Sequence, residues 1–190
     1  FERQLLAGAP LENGNQGSAL LFTTDRFWIN PAGGLWDDST NWSGGVVPEF
    51  DNPVVIPVPG VYTIGFPFGQ LREVQSLDVT DGLVSFNLNG SKLTCNGTNG
   101  KGLIVADIAG GGLQLGGGTL EILSNGVVGD GVGSSGLLQL DQALATFDDT
   151  LSIGEQGFGQ LSLGNSSVLE ADRMTIGNNG GEGLVESGPG

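Results

Sequence analysis

The C-terminal segment 151–188 contains nearly the same sequence twice. Leu151-Ser152-Ile153-Gly154 recurs one repeat later as Met174-Thr175-Ile176-Gly177. A glycine-rich turn follows each copy, and each turn leads to a second apolar position at the same distance, Leu161 in the first copy and Leu184 in the second. A fixed period of roughly 20–25 residues is typical of proteins in which every repeat forms one coil of a stack. The repeat therefore predicts a solenoid.

Short apolar segments extend this period toward the N-terminus. They are separated by glycine or asparagine, and their apolar residues occupy every second position, as in Val54-x-Ile56, Leu77-x-Val79, Val84-x-Phe86, Leu103-x-Val105, Leu113-x-Leu115, Leu120-x-Ile122 and Leu138-x-Leu140. The spacing from Val128 to Ile153 is slightly longer than the spacing from Leu138 to Leu161. The difference between these two spacings falls in a glycine-rich turn, where an insertion has little effect on a packed core.

We expect an all-β fold, namely a single-stranded β-helix or solenoid with coils of about 23–25 residues. The expected winding of this helix is right-handed. Strands of three to five residues are too short to form a stable sheet with their sequence neighbours, but each can pair with its equivalent one coil above and below. The predicted stack occupies residues 54–190 and is most regular from residue 103, with about two irregular coils before that point. Leu137–Phe147 comes closest to a helical spacing, but the aligned repeat predicts a strand and a corner there.

The charge of the chain excludes several classes of function. There are 6 Lys and Arg residues against 21 Asp and Glu residues, which gives a formal net charge of −15, and there is no histidine. An anionic surface repels nucleic acid and anionic membranes. Without histidine, a Ser-His-Asp triad, a Cys-His pair and a His-based zinc site are impossible. No run of about 18 apolar residues is present that could span a membrane. The single cysteine, Cys95, allows no intrachain disulfide and is expected in the core.

Residues 27–53 differ in composition from everything that follows. All three tryptophans, Trp28, Trp36 and Trp42, lie here together with several prolines and glycines. Because indole rings bury large areas, this segment is predicted to cap the N-terminal end of the stack. The same three rings could instead form a platform that binds a sugar, and the sequence leaves both interpretations open. Residues 1–26 are irregular and are predicted to form an arm or a further part of the cap.

The tryptophan-rich segment also carries a family resemblance. It reads Phe27-Trp28-Ile29-Asn30-Pro31-Ala32-Gly33-Gly34-Leu35-Trp36, then Asn41-Trp42-Ser43-Gly44-Gly45-Val46-Val47-Pro48, then Asp51. This pattern resembles the opening of repetitive β-helical proteins of bacterial surfaces, the autotransporter-passenger-like and sorting-signal-anchored proteins abundant in planctomycetes. The resemblance implies an extracellular or cell-surface β-helix. It implies no catalytic activity and supplies no active-site residues.

Three aspartates in turns are weak candidates for calcium ligands. Asp130 lies between glycines, and Asp148 and Asp149 are adjacent, so all three could present hard carboxylate oxygens. The Gly-Gly-x-Gly-x-Asp nonapeptide of calcium-binding β-rolls is absent. We therefore predict no dedicated metal site and no cofactor.

A polysaccharide lyase or hydrolase is the least favoured interpretation. Such enzymes need clustered carboxylates, with a basic residue for proton abstraction in the lyases. The acidic pairs Asp37-Asp38 and Asp148-Asp149 are candidates, but the basic residues are scattered without a matching acidic cluster in the same coil: Arg72, Lys92, Lys101 and Arg173. We expect no enzymatic activity.

The sequence stops inside a repeat, without a helix or a polar coil to close the stack. The last coil, with Met174, Ile176 and Leu184, is therefore predicted to meet either a continuation of the chain or a second copy. The expected function is structural or adhesive, as an extracellular rod, spacer or head-to-tail filament subunit. Self-association through open ends is the predicted partner interaction, and a cell-surface polysaccharide is the other candidate partner. A carbohydrate-binding module that uses the tryptophans is the alternative.

Overall fold

The computed structural model describes residues 25–97, 100–107 and 109–187, which form a β-solenoid of about seven turns. The arm predicted for residues 1–26 lies almost wholly outside these ranges. Each complete turn contributes one strand to each of three faces, here called A, B and C in chain order. Within each face every strand pairs in parallel with its equivalents in neighbouring turns. This confirms the all-β solenoid that the repeat predicts.

The strands of each face follow one another at intervals of one turn. Face A consists of β1 (Arg26–Phe27), β3 (Pro53–Ile56), β6 (Ser76–Val79), β9 (Lys101–Val105), β12 (Asn125–Val128) and the second halves of β14 (Leu144–Ile153) and β16 (Val168–Ile176). Face B consists of β2 (Gly34–Leu35), β4 (Val61–Gly65), β7 (Gly82–Asn87), β10 (Gly110–Gly116), β13 (Ser135–Asp141), β15 (Phe158–Leu163) and β17 (Glu182–Ser187). Face C consists of β5 (Leu71–Val74), β8 (Lys92–Cys95), β11 (Thr119–Ile122) and the first halves of β14 and β16.

The pairing register confirms most of the repeat alignment. Ile153 lies opposite Val128 on one side and Ile176 on the other, and Leu138 lies opposite Leu161. Residues 137–147 form β13 and the start of β14, as the repeat predicts for this segment. The coils before residue 103 are less regular, because the spacing of paired positions varies more there.

One element of the predicted register is wrong. Leu161 lies opposite Val185, whereas Leu184 lies opposite Gln160 and so points outward. The turn that leads into β17 is one residue longer than the turn that leads into β15, since Glu182 is the partner of Phe158. In a strand a shift of one residue exchanges the inner and outer faces. Val185 therefore replaces Leu184 in the inward-facing ladder.

The core is a set of apolar ladders that run along the axis of the stack. Inward side chains of each face rest on their equivalents in the next turn, so one hydrophobic cluster extends from Trp28 to Leu161. Cys95 is a fully buried member of it, between Val74 and Ile122 on face C. Burial raises the pKa of its thiol well above its usual value, so Cys95 is an inert core residue.

Candidate functional sites

The three tryptophans close the N-terminal end of the core. Trp28, Trp36 and Trp42 are 0%, 0% and 1% exposed. Trp42 makes edge-to-face contacts with both others, at ring-centroid distances of 5.0 Å to Trp28 and 4.7 Å to Trp36. Trp36 in turn stacks on Phe66 of the first complete turn. This burial favours the cap over the sugar platform, because a sugar needs an exposed ring face.

Other residues of the tryptophan-rich motif hold the cap in shape. The Asn41 side chain donates from Nδ2 to the Leu35 carbonyl, and its Oδ1 accepts from Asn30. Gly33 and Gly34 both have positive φ, and a Cβ on Gly33 would lie 2.4 Å from the Thr63 carbonyl oxygen. Both positions therefore favour glycine, because the backbone has positive φ there. At Gly33 the backbone also lies directly against the next turn of the solenoid.

An ion pair joins the cap to the first complete turn. Arg72 lies opposite Leu93 of the inward-facing row on face C, and it donates from Nε to Asp37 Oδ1 at 2.9 Å. Its Nη2 donates to Asp37 Oδ2. Asp38 instead caps the 3-10 turn Ser39–Asn41, and hydrogen bonds from the Thr40 hydroxyl and backbone N–H lower the pKa of Asp38. Both carboxylates of this acidic pair therefore have structural partners.

The calcium candidates lie at two different corners of the coil. Asp130 follows face A, and its buried carboxylate accepts hydrogen bonds from Lys101 Nζ at 2.7 and 2.8 Å. Asp148 and Asp149 are exposed where β14 passes from face C to face A. The turn structure does not bring these three side chains together. Among the described residues, no three His, Cys, Asp or Glu side chains form a group that could hold a metal ion.

An acidic ladder runs along the corner that follows face A. Asp81, Asp107, Asp130 and Glu155 occupy the second position after the end of the face A strand in four successive turns. Lys101 pairs with Asp130 at 2.7 Å and lies 3.8 Å from Glu155. The basic residues are scattered in the sequence, but in the fold Arg72, Lys92 and Lys101 each pair with an acidic residue across turns.

Asp78 lies next to this ladder on the outer side of face A. Its Oδ1 is buried and has no hydrogen-bond partner among the described residues. Burial, and then the charges of Asp107 and Asp130, raise the pKa of Asp78 to about 7. A carboxylate without a partner in this setting is costly to ionise.

The C-terminal end of the described stack is open. The strands β16 and β17 each pair with one neighbouring strand in the described part of the chain. Ladder residues that are fully buried in the preceding turn have exposed equivalents here: Ile153 is 0% exposed, whereas Ile176 is 52% exposed. Met174, Leu184 and Val185 are also exposed. The exposed inward-facing side chains of this end are therefore Met174, Ile176 and Val185.

A shallow groove of about 340 Å³ crosses the outer side of face B. Besides the buried Phe86 and Leu115, its lining combines neutral polar side chains and one carboxylate with a glycine: Thr63, Ser85, Asn87, Gln114, Gln139, Asp141 and Gly116. The sequence patterns described above did not predict this groove. The available signal was the recurrence of glutamine at the same place in consecutive repeats, Gln114 opposite Gln139.

These features define the class of protein: a parallel β-solenoid of about seven turns whose first described turn is filled by indole rings. No family model matches the sequence, and neither the curated proteins nor the solved structures contain a match to it. In the described part of the chain, no helix has the length and apolar character needed to cross a membrane.

Proposed function

We propose that this chain is an extracellular structural β-solenoid, a rod that extends or associates through its open C-terminal coil. The observation that carries the proposal is the difference between its two ends. Indole rings fill the core at the first turn, whereas Met174, Ile176 and Val185 leave the core exposed at the last described turn.

The open coil has the properties of a pairing surface. An unpaired strand edge presents backbone N–H and C=O groups to any strand that can align with it. The exposed inward-facing side chains add apolar area, and burying it contributes roughly 25 cal/mol per Å². A further coil of β-strand satisfies both requirements at once. For self-association we propose a second copy of this chain as the source of that coil.

The capped end is a poorer partner for such a coil. The strands β1 and β2 are two residues long each, so they offer few backbone groups for pairing. A head-to-tail filament needs both ends of the rod, whereas association through the open coil alone gives closed, small assemblies. We propose the latter, and keep the filament as the alternative outcome.

Sedimentation velocity over roughly 1–500 μM tests association. This range covers micromolar dissociation constants, for which the free energy of binding is about 8 kcal/mol. We expect concentration-dependent assembly of the unmodified chain and its loss in Ile176→Lys, which places a charge on the exposed core. Val132→Lys is the matched control, since Val132 is 84% exposed at a corner. A strictly monomeric chain, or equal assembly of both variants, contradicts the proposal, and long fibres favour the filament.

The same proposal has two further parts. The chain is extracellular, and it belongs to the autotransporter-passenger-like type that the tryptophan motif resembles. They are supported by the acidic composition and by the structural roles of Gly33, Asn41 and the three tryptophans in the cap. An antibody against the chain should label intact cells of the source organism. Labelling only after permeabilisation contradicts an extracellular location.

A further inference from the structure

Two glycines of β10, Gly110 and Gly116, are required neither by the backbone nor by packing, and of these two Gly116 lines the groove. Gly116 does not have a positive φ, and a Cβ placed on it would meet nothing closer than the Phe86 carbonyl oxygen at 3.8 Å. In the same strand, a Cβ on Gly112 would lie 2.6 Å from Leu83 Cδ1, so packing explains that glycine. Gly116 is the last residue of β10, and the absence of a side chain there leaves the backbone accessible to a ligand.

The absent side chain leaves a gap between two exposed polar residues. Gly116 lies in register between Asn87 of the turn below and Asp141 of the turn above. Neither the Asn87 amide nor the Asp141 carboxylate has a side-chain hydrogen bond to the described residues. Parallel strands are about 4.8 Å apart, so the two side chains lie about 10 Å apart across the gap.

A polar ladder forms one wall of the same groove. Ser85 Oγ donates to Gln114 Oε1 at 2.7 Å, and Gln114 Nε2 donates to Gln139 Oε1 at 2.9 Å. This chain of hydrogen bonds holds the amides in one orientation. It leaves Gln139 Nε2 as a donor without an acceptor in the described part of the protein.

We propose that this groove binds a neutral carbohydrate, one or two sugar rings lying over Gly116. Sugar hydroxyls both donate and accept, and the groove offers amide donors, amide acceptors and one carboxylate acceptor. The gap at Gly116 lets a ring approach the backbone, and its width of about 10 Å exceeds that of one ring. Asp141 and the net charge of −15 disfavour acidic polysaccharides. The site does not depend on assembly through the open coil, although an adhesive role of the rod would rest on it.

Binding at one groove is expected to be weak. Phe86 contributes to the lining but is 1% exposed, so no described aromatic ring face in the groove can stack on a sugar. A Kd on the order of 1 mM is expected for a short oligosaccharide. Several copies displayed on one surface would bind a polysaccharide more tightly through multivalency.

Nuclear magnetic resonance of the full chain tests the proposal directly. Neutral glucose-, mannose-, galactose- and xylose-based oligosaccharides are titrated to roughly 50 mM, well above the expected Kd. We expect at least one of them to shift the side-chain amide signals of Asn87, Gln114 and Gln139 in a saturable manner. Polygalacturonate, an acidic polysaccharide, is expected to give no saturable shift. The proposal is overturned by the absence of amide shifts with every neutral sugar, or by saturable shifts with the acidic polymer alone.

Gly116→Thr supplies a variant that fills the gap without damaging the strand. Threonine favours strands, and its Cβ has room at this position. We expect about a tenfold or greater loss of affinity with no loss of thermal stability. Gly110→Thr is the matched control in the same strand, because a Cβ there would meet nothing closer than the Ser135 carbonyl oxygen at 3.8 Å. Equal affinity of the two variants contradicts the assignment of the site to Gly116.

Discussion

The replacement Asp78→Asn should stabilise the protein at pH 8 and have a smaller effect at pH 5. The Asp78 carboxylate has a buried oxygen without a partner among the described residues and lies near the charges of Asp107 and Asp130. Asparagine has nearly the same shape and carries no charge. The replacement therefore removes the cost of ionisation while it leaves the packing of face A almost unchanged.

The magnitude follows from the pKa of Asp78, which is raised from 3.8 to about 7. Each pKa unit corresponds to about 1.36 kcal/mol, so the full shift sets an upper bound of about 4 kcal/mol. Partial exposure of the side chain to solvent reduces this to roughly 1–3 kcal/mol. Because the folded pKa lies above the unfolded one, the destabilisation grows as pH rises from about 4 to about 7 and is complete above pH 7.

Thermal unfolding at pH 5, 6.5 and 8, followed by tryptophan fluorescence, measures the effect. In a chain of this size about 1 kcal/mol shifts Tm by about 2–4 °C, so Asp78→Asn should raise Tm at pH 8 by several degrees. Asp148→Asn is the matched control, since it changes the net charge equally at an exposed corner. A gain that is the same at pH 5 and pH 8, or equal in both variants, would refute the proposed cause.

Three further outcomes test the corners and the cap. Ala106 has φ +61° at the position where Gly129 has φ +75°, so Ala106→Gly should stabilise the protein against urea by up to about 1 kcal/mol. Gly129→Ala should destabilise it by about 2–5 kcal/mol in the same assay, because the new Cβ would lie 2.3 Å from the Phe158 carbonyl oxygen. Iodide should scarcely quench the fluorescence of the native chain, since all three indoles are buried, and strong quenching would contradict the cap.

The regular part of the fold could be predicted because every turn there contains the same sequence of strand and corner. Ile153 and Ile176 occupy equivalent positions, and each follows its predecessor at nearly constant spacing. The first turns could not be aligned in this way, because the spacing between paired positions is much shorter from Leu71 to Lys92 than from Gly34 to Ile64. Insertions at corners change the spacing without disturbing the ladders.

The error at Leu184 has a physical origin. Leu184 and Val185 are adjacent and both apolar, so alternation alone does not identify the inward-facing one. Only the length of the preceding turn decides the register, and the sequence does not show how many residues that turn contains.

The groove at Gly116 was missed for a related reason. Asn87, Gly116 and Asp141 become neighbours through two unequal spacings, which no single period predicts.

The stacking of parallel turns concentrates negative charge along one corner of the solenoid. Acidic residues that recur once per turn are brought to about 4.8 Å from one another along a corner, whatever their separation in sequence. Lys101 offsets this repulsion at Asp130 and Glu155, but in the described part of the chain no basic side chain pairs with Asp81 or Asp107. Beside this corner, burial raises the pKa of Asp78 most, and the charges of Asp107 and Asp130 raise it further. The second and third complete turns, rather than the cap, are therefore where a rise in pH should weaken the stack first.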